Sequence, residues 1–99
     1  MRRAAKVDAT QAAIVTALRA AGCKVLSLAA CGNGVPDLLV LAQHGKWKAL
    51  SLLEVKNPKG RGTSLTSYQE GFHAEWPVTV VTTPEEALRA VGVTIAEDL

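Results

Sequence analysis

Gly34-Val35-Pro36-Asp37-Leu38-Leu39-Val40-Leu41, Gln43-His44-Gly45-Lys46 and Leu50-Ser51-Leu52-Leu53-Glu54-Val55-Lys56 decide the fold of this chain. Val35 to Leu41 and Leu50 to Val55 are short apolar runs around a polar, Gly-containing segment, a pattern that predicts a β-hairpin with a His44-Gly45 turn. A two-residue turn there sets Asp37 opposite Leu52. Glu54 and Lys56 then follow on the same face, because side chains alternate with period two, while Leu53 and Val55 point to the other. Diagonal neighbours of the Asp37–Glu54 kind lie roughly 7–8 Å apart, within reach of one shared ion. Ionisable groups set into apolar runs are costly unless they are paired or bind metal. A pair of carboxylates suits a hard cation such as Mg²⁺, which takes oxygen ligands and keeps several waters. A lysine beside it can place or deprotonate an attacking water, so the set reads as metal-assisted phosphodiester hydrolysis.

Working outward, Ala9 to Ala21 predicts a helix: Ile14, Val15 and Leu18 form its apolar stripe, alanines favour it, and Gly22 stops it. Lys24 to Ala30 reads as a strand and Gly32-Asn33-Gly34 as a turn. After the hairpin, Asn57 to Ser64 is a polar loop, Thr66 to Trp76 a second helix, and the β-branched run Val78 to Thr82 a buried strand. Thr83 caps a third helix, with Pro84 at its first position and Glu86 closing a capping box. The order is α-β-β-β-α-β-α, an α/β fold in which an antiparallel meander joins a βαβ-like crossover, giving a mixed β-sheet flanked by helices. Ninety-nine residues make one domain, residues 1–99, with a core but little room for a second module.

Composition narrows the function classes. Apolar residues make up 48% of the chain, too many for a disordered one. No apolar run approaches the roughly 20 residues that span a bilayer. Met1-Arg2-Arg3 is followed by Lys6 and Asp8 rather than by a signal-type apolar stretch, so a cytoplasmic, intracellular protein is expected. Cys23 and Cys31 have no metal-binding spacing and read as two buried or half-buried free thiols. The net charge is only +2, yet Lys46, Lys48, Lys56, Lys59 and Arg61 crowd a segment whose sole acid is Glu54, a distribution that suits a phosphate backbone. Lys59 and Arg61 lie in a Gly-containing basic loop, the expected DNA contact with Lys46 and Lys48; that loop lacks the G-x-x-x-x-G-K-[ST] order, so no nucleotide cofactor is expected. Trp47 and Trp76 read as packing or interface residues, and His73, one turn from Gln69, as surface.

Asp37, Glu54-x-Lys56 and a following helix with Gln69 resemble the PD-(D/E)xK nuclease superfamily. Gly34-Val35-Pro36-Asp37-Leu38-Leu39-Val40, Leu53-Glu54-Val55-Lys56, Leu65-Thr66 and Gln69 look more narrowly like its VRR-NUC branch, over about Asp8 to Leu88. The resemblance implies the restriction-endonuclease-like core and a catalytic set of Asp37, Glu54, Lys56 and Gln69. It also implies Mg²⁺ (Mn²⁺ substituting) held by Asp37, Glu54 and the Val55 backbone carbonyl, with either Asp8 or Gln11 on the first helix where the family carries an acid. Thr66-x-x-Gln69 and Asp8-x-x-Gln11 are also capping-box spacings, and one Gln69 rotamer is not expected to fill both the capping and the active-site role. The implied activity is cleavage of branched DNA with 5′-phosphate products, in a bacterial or phage-encoded setting. Resolving a four-way junction takes two symmetric cuts, which favours a C2 homodimer. The alternatives are a monomeric flap or other structure-specific nuclease, and a non-cleaving DNA-binding module with the same fold.

Overall fold

Helix α1, Ala9–Ala20, turns Ile14 and Leu18, one helical turn apart and both 0% exposed, toward a four-stranded sheet. A computed structural model, describing residues 9–57 and 65–94, follows it with β1 (Lys24–Ser27), β2 (Leu38–His44), β3 (Trp47–Val55), α2 (Ser67–Glu75), β4 (Val78–Val81) and α3 (Pro84–Ala90). This is the expected order of three helices and four strands in a mixed sheet. The strands lie in chain order; β1–β2 and β2–β3 are antiparallel, while α2 carries the chain over to a β4 parallel to β3. A parallel neighbour needs such a crossover.

Alternation along the strands builds the core. Val25, Leu38, Val40, Leu53, Val55 and Val81 point to one face and pack with Ile14 and Leu18 of α1 and Ala87 of α3. Each large side chain buried there contributes about 1.5–3 kcal/mol. Thr83 caps α3 by accepting from the Glu86 backbone N–H at 3.1 Å. The box expected there closes differently: Glu86 Oε1 accepts from Thr82, not from the Thr83 N–H. Among the described residues no helix is long and apolar enough to cross a membrane.

Several boundaries differ from expectation. β1 stops at Ser27, and residues 35–37 precede β2 rather than belong to it. The hairpin instead runs outward to His44 and Trp47, which pair, so the turn is Gly45-Lys46 and not His44-Gly45. Gln43 Nε2 holds that turn by donating to the Gly45 carbonyl at 2.8 Å. Moving a turn by one residue moves every cross-strand partner by two. Leu38 therefore pairs Leu53, and the next position sets Asp37 opposite Glu54 rather than Leu52. Cys31 lies beyond β1 and is exposed; only Cys23 is buried, and burial pushes its thiol pKa up. The sequence predicts a buried β4, but Thr79 and Val80 are exposed because the strand forms an edge of the sheet and, among the described residues, no helix layer covers the face that carries Val80.

Candidate active site

Asp37 and Glu54 meet where β2 begins and β3 ends. Buried Pro36 precedes Asp37, whose carbonyl accepts from the Leu28 N–H at 2.8 Å, extending the β1–β2 ladder by one bond. The Asp37 side chain reaches across the hairpin, Oδ2 accepting from the Val55 N–H at 2.7 Å. This bond orients the carboxylate.

Glu54 is 3% exposed between Leu53 and Val55, the one buried charged residue among those described. Its Oε2 accepts from Gln69 Nε2 at 3.0 Å and lies 3.5 Å from Lys56 Nζ. Its Oε1 is buried and accepts from no donor among the described residues, while the Asp37 carboxyl lies close enough to share a proton with Glu54. Burial, and next the Asp37 charge, push the Glu54 pKa up to about 7 against the pull of Lys56. The Lys56 ammonium offsets only part of the cost of holding the anion there.

Gln69 corrects the expectation that one rotamer must choose between two roles. Its Oε1 accepts from the Thr66 N–H at 2.9 Å and from Lys56 Nζ at 3.1 Å, while Nε2 donates to Glu54. The Gln69 N–H meanwhile donates to Thr66 Oγ1 at 3.2 Å, completing the capping box. An amide oxygen has two lone pairs and its nitrogen two hydrogens, so one rotamer serves both cap and site. The helix start and the carboxylate are thereby one network.

What seats α2 was only partly visible as a turn signal. No residue of α2 is buried. Its first turn rests on Gly34, where φ is +83° and a Cβ would lie 2.3 Å from the Tyr68 carbonyl oxygen and 2.9 Å from the Gln69 nitrogen. Glycine is the residue that fits both conditions. At its other end Phe72 stacks on Trp76 with ring centroids 5.3 Å apart.

The remaining expected residues divide. Asp8, Lys59 and Arg61 lie outside the described residues. Gln11 sits on α1 and lines a cleft with Val15, Arg19, Val25 and Leu38, on the sheet face that Asp37 and Glu54 do not share. Lys46 and Lys48 are exposed at the hairpin tip, and Lys48 is six residues along β3 from Glu54, about 20 Å away. Trp47, at the same tip, is 79% exposed and does not pack as expected. His73 is not plain surface, since its Nε2 is buried without a hydrogen-bond partner among the described residues.

The donor set fits a hard divalent cation: two carboxylates close together at neighbouring strand ends, one with a buried oxygen that accepts from no donor among the described residues. Among the described residues no group of three or more His, Cys, Asp or Glu gathers, so any further ligand comes from backbone oxygen, water or substrate. No family model, curated protein or solved structure matches this chain.

Proposed function

We propose that this chain is a Mg²⁺-dependent endonuclease that hydrolyses phosphodiester bonds in branched DNA, foremost four-way junctions as a homodimer, and that its sheet is a PD-(D/E)xK nuclease core of the VRR-NUC kind. The observation that carries the reading is the buried Glu54, with one oxygen that accepts from no donor among the described residues and the other held by Gln69, close against the Asp37 carboxyl. A protein gains nothing in stability from a carboxylate placed so; a cation recovers the cost. Asp37, Glu54 and the Val55 carbonyl would hold Mg²⁺ or Mn²⁺. The chemistry such an ion supplies is Lewis acidity toward a phosphoryl oxygen and a bound water of lowered pKa.

The chain's own groups do the rest. Gln69 fixes the Glu54 carboxylate through Oε2 and so presents Oε1. Lys56, tethered to the Gln69 amide, brings an ammonium group to the same edge, where it orients water or neutralises charge developing on the phosphate. The Val55 N–H holds Asp37 in register with Glu54. DNA contact through Lys46, Lys48, Lys59 and Arg61 belongs to the same proposal, with Lys46 and Lys48 engaging a backbone segment well away from the cut.

The test is cleavage of labelled four-way junction, flap, splayed-arm and linear duplex DNA with Mg²⁺ or Mn²⁺, beside Lys56→Ala. Cuts at symmetric positions in the junction, reduced at least a hundredfold in the variant, are the expected result. Flap cutting without junction cutting would keep the chemistry and overturn the dimeric resolvase. Wild-type protein that cuts none of the four would overturn the nuclease reading.

A further inference from the structure

We propose that the sheet face turned away from α1 and α3 is the surface on which a second copy of this chain docks. The registers place Leu26, Leu39, Leu52 and Val78 in one unbroken row across all four strands, and Leu41 beside Leu50 in the next. A sheet face open to water ordinarily alternates to polar residues. Here Leu26 is 61% exposed, Leu50 69%, Val80 40% and Trp76 52%. These four side chains alone present on the order of 500 Å² of apolar surface, the scale of the largest patch on an ordinary monomer.

The relief of this face favours self-association over other occupants. Leu50 stands between two shallow apolar hollows. One, of about 230 Å³, lies toward Leu26 and Leu41; the other, of about 340 Å³, lies toward Leu52, Trp76 and Pro77, and both share Leu39 and Leu50 as walls. A two-fold interface must be complementary to itself, carrying the projection and the hollow that receives it on one patch. This patch does. Among the described residues Lys24 is the one charged residue lining either hollow, whereas a nucleic-acid footprint needs several cations. Asp37 and Glu54 stand on this same face one row beyond Leu39 and Leu52, so a copy that fills the hollows flanks the cleavage site. Including the half-buried leucines, roughly 600 Å² per copy gives about 1,200 Å² in all, the lower bound of a specific interface. A dimer that dissociates in the micromolar range is expected.

The consequence for junction cleavage rests on the functional reading above; the surface itself follows from the apolar pattern. Sedimentation of the full chain without DNA, up to about 100 µM, tests it. Wild type is expected as a dimer. Leu50→Glu and Leu26→Glu, each at an exposed position, are expected to weaken dimerisation at least tenfold with unchanged circular dichroism. Trp47→Glu, on the opposite face at the hairpin tip, is expected to leave it unchanged. Monomeric wild type at the highest concentration, or Leu50→Glu and Leu26→Glu that both dimerise like wild type, would overturn the proposal. Cleavage of the same samples separates the two readings: a monomer that cuts flaps removes the surface and keeps the nuclease, while a dimer that cuts nothing does the reverse.

Discussion

Replacing Glu54 with glutamine is expected to stabilise the metal-free protein above neutral pH. In the folded chain this carboxyl titrates at about 7 rather than at 4.5, chiefly because burial disfavours the anion and secondarily because Asp37 adds a like charge, with Lys56 opposing both. The folded state then binds the proton more tightly than the unfolded state does. Stability from this group is therefore complete below about pH 4.5, falls as pH rises toward 7, and stays low above it. At 1.36 kcal/mol per pH unit between the two values, the loss reaches about 3 kcal/mol. Glutamine carries no charge and retains an acceptor for Gln69, but it forfeits the ion pair with Lys56. A net gain of about 1–3 kcal/mol at pH 8, or roughly 5–15 °C in Tm, is expected. The assay is thermal unfolding of both proteins in chelator at pH 4.5, 6 and 8. The wild-type Tm should drop relative to the variant across that range. Millimolar Mg²⁺ should restore the wild type and leave the variant unmoved, since an ion bound only by the native state stabilises it. Parallel Tm profiles for the two proteins at all three values would refute the reasoning.

Two further substitutions probe the network around that carboxylate. Gln69→Ala removes one amide that serves Glu54, Lys56 and the Thr66 N–H together, so cleavage should fall at least tenfold. Thr66→Ala should cost the cap about 1 kcal/mol and leave the cleavage rate within a few-fold of wild type, as thermal unfolding and single-turnover kinetics will show. Gly34→Ala and Gly32→Ala both place a Cβ at positive φ, a backbone cost of about 1–2 kcal/mol each. Gly32 opens onto empty space whereas Gly34 meets Tyr68 and Gln69, so only Gly34→Ala should lose further stability and displace α2, read as a lower Tm together with lost cleavage.

Much of this was written in local pattern. The order of elements follows from the periodicity and from the Thr66 and Thr83 caps, whereas Leu38-Leu39-Val40-Leu41 is apolar on both faces and does not say which of them the helices cover. The turn was misplaced because His44, Gly45 and Lys46 all suit a turn, while the apolar runs end before the ladder does. β4 read as a buried strand because Val78-Thr79-Val80-Val81 is β-branched throughout; propensity does not report that an edge strand leaves one face bare. The contact at Gly34 was unreadable for a different reason. A glycine in the sequence announces freedom of the backbone, not which helix rests on it.

The misplaced turn nonetheless left the site intact, and the reason is arithmetic. Shifting a hairpin turn by one residue changes each partner by two, and side chains alternate with period two, so Asp37 and Glu54 share a face in either register. What the shift changes is their spacing. The expected diagonal sets such a pair roughly 7–8 Å apart, whereas the direct opposition reached in the structure belongs to the roughly 4.5–5.5 Å class. Like charges directly opposite one another destabilise a sheet. Asp37 is held there by the Val55 N–H, and Glu54, buried, is held by the Gln69 amide and the Lys56 ammonium. The register therefore forces two carboxylates together in a place where neither escapes. Closer opposition raises the cost of keeping both carboxylates charged, which is the cost a cation would relieve under the proposed function.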